Sequence, residues 1–153
     1  MRIIKSLLVG LLLNVVIISF AQDNGLGVRI MNLPEIVGVG ISYKQIVRGN
    51  MSYETSVGSV IHMKSAFIKG DFNFIQRTVG IQGLDWYSGI GIQSWFSANE
   101  FDIGPELTIG LDLDLVSVPF SLFLDGSLYT MLVNNRPVQS FWQIGAGARF
   151  LFK

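Results

Sequence analysis

The stretch FDIGPELTIGLDLDL, residues 101–115, sets Asp102, Glu106, Asp112 and Asp114 at even-numbered positions in a run otherwise rich in Phe, Ile and Leu. Carboxylates grouped in this way could hold a cation or join an ion-pair network. A Ca²⁺ site built from Asp102, Asp112 and Asp114 lacks the loop spacing of such ligands. His62 is the single histidine and there is no cysteine, so multi-histidine sites, thiolate metal sites and disulfides are excluded. The Gly-x-Gly pairs lack the third glycine and the following helix of a dinucleotide fingerprint. No metal and no cofactor is expected. A Ser-His-acid constellation would need a serine beside His62. Ser59 has the wrong parity, and Ser56 is roughly 20 Å away at the rise of a strand. Ser65, Ser94 or Ser97 stay open as partners from other strands.

Half of the 153 residues are apolar and only 14% are charged, an apolar excess that either a large core or a lipid-facing surface must absorb. Eleven basic and eleven acidic residues balance with no basic cluster, so nucleic acid is not an expected partner. The chain begins with a positive segment (Arg2, Lys5), an apolar run from Leu7 to Ile18 and the small residues Ser19 and Ala21 around Phe20. This pattern predicts a signal peptide over residues 1–21, cut after Ala21, followed by one domain over 22–153. A retained anchor would want roughly 20 apolar residues, and this run is shorter. Without Arg2 and Lys5, nine basic residues face eleven acidic ones, so the mature chain carries a net charge of −2.

Beyond residue 24 no window keeps a helical apolar period, and alternation by two takes over. The pattern predicts eight strands near 25–32, 36–47, 51–62, 66–75, 84–96, 101–115, 118–131 and 139–152. Turn chemistry separates several of them, for example Arg48-Gly49-Asn50 and Asn134-Asn135-Arg136-Pro137. Sorting each strand by parity gives one nearly uniform apolar face, including Val37, Val39, Ile41, Val57, Ile90, Leu107 and Ile109. The other face collects Arg29, Lys44, Glu54, Lys69, Asp71, Asp85, Glu106, Asp112, Asp125 and Arg149. It also holds Gly38, Gly40, Gly58, Gly89, Gly91, Gly104, Gly110, Gly145 and Gly147.

Such alternation fits a soluble calyx with an apolar interior or a transmembrane barrel with a polar one. The glycines favour the barrel, where small residues make room for large ionic ones in a narrow interior. On a solvent-facing surface they would only weaken the strands. The charged set sorted onto one face by parity is therefore expected to form an interior network, with the carboxylates directed toward Arg29, Lys44, Lys69 and Arg149. Large aromatics on the apolar parity gather toward one set of strand ends: Tyr43, Tyr53, Phe72, Phe74, Trp86, Phe120, Phe150 and Phe152. Phe96, Phe101 and Trp142 form a thinner belt at the other. Two such belts are expected at membrane interfaces.

The ending FWQIGAGARFLFK and the order GLGVRI, GVGISYKQ, YETSVG, GLDWYSGIG, IGPELTIGLDL, FSLFLDGSLY, GAGARF resemble small, short-looped bacterial outer-membrane β-barrels. Lys153 departs from a strictly terminal Phe. The resemblance implies an all-β, eight-stranded antiparallel up-and-down barrel in the bacterial outer membrane. It also implies contact with outer-membrane lipids and recognition of the C-terminal strand by the barrel-assembly machinery. It supplies no catalytic residue. Such a barrel is just wide enough for its side chains to fill, so a non-catalytic structural, surface-interaction or binding role is expected. A lipid-modifying hydrolase using His62 and a lipocalin-like carrier of an apolar ligand stand as alternatives. The longest link, 76–83, is expected at the end that carries the chain termini.

Overall fold

The computed structural model describes residues 24–33, 36–61, 64–77, 80–97, 101–132 and 139–152. The chain runs through β1 (Asn24–Leu33), β2 (Ile36–Arg48), β3 (Met51–Val60), β4 (Ser65–Arg77), β5 (Leu84–Ser97), β6 (Phe101–Asp114), β7 (Phe120–Met131) and β8 (Gln139–Phe152). Each strand pairs antiparallel with the next, and β1 pairs with β8 from Asn24↔Phe152 to Asn32↔Ile144. The sheet is thus a closed eight-stranded barrel with no free edge, and the ladder hydrogen bonds are met within the ring. The cleavable segment expected over residues 1–21 lies outside the described residues.

All eight strands lie where alternation places them, with ends that differ by up to two residues. β7 starts at Phe120 rather than 118 because residues 115–119 fold into a turn, in which the Leu115 amide donates to the Phe120 carbonyl at 2.9 Å. β4 runs on to Arg77, which shortens the link to β5 to six residues, 78–83. At its end Gly83 has φ 81°, and a Cβ there would meet the Asp114 carbonyl oxygen at 2.3 Å. The longest interval between strands is instead 132–138, seven residues at the rim opposite Asn24 and Phe152. That corrects the expectation for 76–83, which counted the last two residues of β4 as part of the link.

Alternation decides what each face meets. Ile90 and Ile109 point outward and are 65% and 59% exposed, whereas Arg29 and Arg149 point inward at 1% and 0%. Apolar side chains also enter the interior, with Met31, Phe67 and Phe123 buried there. Phe67 packs against Trp95, its cross-strand partner on β5, with ring centroids 5.5 Å apart.

Candidate functional site

The interior holds two ionic clusters. In the first, Glu54 on β3 accepts from Arg29 Nη2 at 2.9 Å and, through its other oxygen, from Arg149 Nη2 at 2.6 Å. Arg29 continues to Asp125 at 2.6 Å, and Arg149 Nη1 continues to Asp112 at 2.9 Å. Asp112 also accepts from Lys44 at 2.5 Å, Ser42 donates to Glu54 at 2.8 Å and the Tyr87 hydroxyl donates to Asp125 at 3.1 Å. Phe123 presents its ring to both guanidinium groups, with Arg149 Cζ 3.7 Å and Arg29 Cζ 4.8 Å from the centroid. Aromatic faces attract cations by their quadrupole, more strongly where water is excluded.

The second cluster centres on Lys69, which ion-pairs with Glu106 and lies 3.3 Å from Asp71. The Gln93 amide, turned so that its oxygen accepts from Trp95 Nε1 at 2.6 Å, donates to Glu106 at 2.9 Å. Burying single charges would be prohibitive. Pairing with extra hydrogen bonds offsets the lost hydration, and removing one partner strands the other.

Nine of the ten charged residues assigned to the network by parity are brought together in this way. Asp85 is not: it is half-buried at a strand end and has no ion-pair partner among the described residues. Arg77, its partner across β4 and β5, is exposed, and Lys44 is engaged by Asp112, which stands directly opposite Asp85 across β5 and β6. Of the four carboxylates in residues 101–115, Glu106 and Asp112 reach the buried cations, and Asp114 is exposed at the end of β6.

Cross-strand partners explain how such large groups fit. Phe123 lies opposite Gly147, where a Cβ would come within 2.5 Å of the ring. Asp125 lies opposite Gly145, where a Cβ would stand 2.5 Å from the carboxylate and 2.9 Å from Arg29 Nη1. Any side chain at these glycines would collide with the network they shelter. Parity had marked the glycines and the ions as sharing a face. It did not single out Phe123 or Phe67, although each sits two residues from a buried charge, Asp125 and Lys69.

On the outer surface, at the end with Asn24 and Phe152, Tyr53 packs on Phe72 (5.0 Å between centroids) and Phe120 on Phe150 (5.5 Å). Phe74, Trp86 and Phe152 are exposed nearby, and the half-buried Tyr43 donates to Asn24 at 2.7 Å. Trp142 is exposed at the opposite end, where Phe96 and Phe101 pair at 5.1 Å.

No family model matches the chain, and neither does any curated protein. Solved structures do resemble it. The N-terminal β-barrel domain of Pseudomonas aeruginosa OprF superposes with a TM-score of 0.65 at 15% identity, over 86% of this chain and 98% of that domain. A de novo designed transmembrane β-barrel gives a TM-score of 0.64 at 12% identity, over 86% and 99% of the two chains. Neisserial surface protein A gives 0.56 at 11% identity, over 84% and 94%. The fold is that of small bacterial outer-membrane β-barrels.

In this outer-membrane barrel fold, the hydrolase alternative turns on His62, which lies outside the described residues. Ser59 is exposed on the outer face and Ser56 is buried opposite Lys69, whereas Ser65 and Ser97 are cross-strand partners at the end of β5, with Ser94 on the same strand. The calyx alternative requires an apolar interior. Here the interior holds the ionic clusters, and the apolar side chains such a ligand would touch face outward.

Proposed function

We propose that this chain is exported through its N-terminal signal peptide and inserted into the bacterial outer membrane. There it serves as a non-catalytic barrel with a structural, surface-interaction or binding role. The observation that carries the reading is the inversion of polarity: a closed sheet with salt bridges inside and isoleucine, leucine and valine outside. In water such a surface would be an aggregation liability. In a bilayer it is the required solution, because the ring satisfies its own backbone and the apolar band meets hydrocarbon.

The two aromatic belts then lie at the interfaces, and Tyr43, Tyr53, Phe74, Trp86, Phe120, Phe150 and Phe152 anchor one of them. The interior is filled by the two ionic clusters together with Phe67, Phe123 and Met31, so a diffusive pore is not part of the reading. Outer-membrane lipids are its surroundings. The C-terminal strand, with Phe150 and Phe152 outward, is its signal to the assembly machinery.

Cell fractionation combined with gel mobility before and after heating tests this reading. A membrane-bound species that migrates differently when unheated is expected. A soluble periplasmic species whose mobility heating does not change would overturn it.

A further inference from the structure

A cleft of about 460 Å³ opens at the barrel end where β1 begins and β8 finishes. That volume falls in the range of small-molecule sites, about 300–1,000 Å³. Asn24, Lys44, Asp112, Asp114 and Ser121 supply its polar lining. Ile46, Leu151 and Phe152 supply apolar wall.

Two carboxylates, Asp112 and Asp114, line the cleft beside one lining cation, Lys44. Lys44 Nζ at 2.5 Å and, from the interior, Arg149 Nη1 at 2.9 Å hold the same Asp112 oxygen. The other oxygen, Asp112 Oδ1, is buried without a hydrogen-bond partner among the described residues, and so is Ser121 Oγ. Ser121 is the cross-strand partner of Asp114, which forms no ion pair with the described residues. Buried polar atoms without partners are uncommon in native structures and call for a reason.

The described carboxylates do not converge into a metal-binding group. A compact hard cation would in addition gain nothing from the apolar wall. An ammonium on an aliphatic stem matches both halves: its three donors suit carboxylate and hydroxyl oxygens, and its methylenes suit Ile46, Leu151 and Phe152. Lys44, reaching Asp112 from β2, already shows that pairing within the chain.

We propose that this cleft binds an alkylammonium group, carried by a small soluble amine or by an ethanolamine lipid headgroup. Its test uses the full chain folded in uncharged maltoside micelles, titrated with Nα-acetyl-lysine methylamide and followed by amide NMR.

Saturable shifts confined to the neighbourhoods of Lys44, Asp114 and Ser121 are expected. The norleucine analogue, which keeps the stem and lacks the ammonium, should produce none. Asp114→Asn should weaken binding about fivefold or more, and because Asp114 is exposed the fold should survive. Asp102→Asn, at the opposite end, should leave affinity unchanged. Absence of saturable shifts, or equal weakening by both substitutions, overturns the proposal. In nanodiscs, weaker lysine-analogue binding with phosphatidylethanolamine than with phosphatidylcholine assigns the site to the headgroup. Equal binding in the two assigns it to soluble amines.

Discussion

Arg149 on β8 donates to Glu54 on β3 at 2.6 Å, across the interior, although the two strands share no ladder hydrogen bonds. The ladders join only neighbouring strands. This contact, repeated by Arg29 from β1, ties strands that share no ladder directly to β3.

Removing Arg149 leaves Glu54 and Asp112 each short of a buried partner. Breaking a buried pair in this way costs about 3–5 kcal/mol. Arg149→Leu is expected to lower the urea midpoint for unfolding from lipid vesicles far more than Arg48→Leu, whose side chain is exposed at the end of β2. Equal midpoints would show that Arg149 is solvated.

Glycine positions should divide sharply by face. Gly147→Val must displace the Phe123 ring and the Val28 carbonyl, since a Cβ there stands 2.1 Å from that oxygen. Overpacking of this kind costs about 1–3 kcal/mol or more. Gly126→Ala points outward with the nearest atom 4.0 Å away, and it should leave the midpoint unchanged. Urea titration of the two variants checks the contrast.

Depth in the bilayer should be readable from lysine substitutions on the outer face. Ile109→Lys, mid-strand in β6, is expected to cost about 2–4 kcal/mol, while Val116→Lys, in the turn before β7, should cost about 0–1 kcal/mol. Thr108 is no permissive inward control, because its hydroxyl lies 3.4 Å from Lys69 Nζ and a second ammonium there would face the first. Unfolding free energies that do not differ between the two outer sites would argue against a hydrocarbon surround.

Single-tryptophan variants in vesicles with brominated acyl chains should separate the three indoles. Trp86 and Trp142 are exposed on the outer face, and Trp95 packs inward on Phe67. Strong quenching of the first two and weak quenching of Trp95 is the expected pattern. Equal quenching of all three would contradict the inward placement.

Export can be checked on its own. Ala21→Trp places a bulky residue where cleavage needs a small one, so a longer, unprocessed species should accumulate at the inner membrane. Wild-type protein whose N-terminal residue is Met1 would refute the cut after Ala21.

Strand positions were legible because one periodicity governs residues 24–152. A slip of one residue would turn Arg29 and Lys69 into lipid and Ile30 and Ile68 into the interior, so the pattern leaves little freedom. Side-chain partners were legible only as a pool. Parity places Asp85 and Asp112 on the same face, but which of them takes Lys44 depends on the β5–β6 and β1–β2 registers, which composition does not encode. Phe123 escaped notice because an aromatic residue in a strand reads as lipid-facing. Its role depends on a glycine opposite it and on two arginines far away in sequence.

The alternation has a further effect before the barrel exists. After residue 24 the longest uncharged run is 86–99, fourteen residues broken by serines, glycines and a glutamine. A helix needs about 20 mostly apolar residues to lodge in a bilayer. The ions that end up enclosed therefore also space the hydrophobic residues along the unfolded chain. On the export reading proposed above, residues 24–153 offer no stop-transfer segment to the inner membrane, and the chain becomes lipid-compatible only once closure has sorted its two faces.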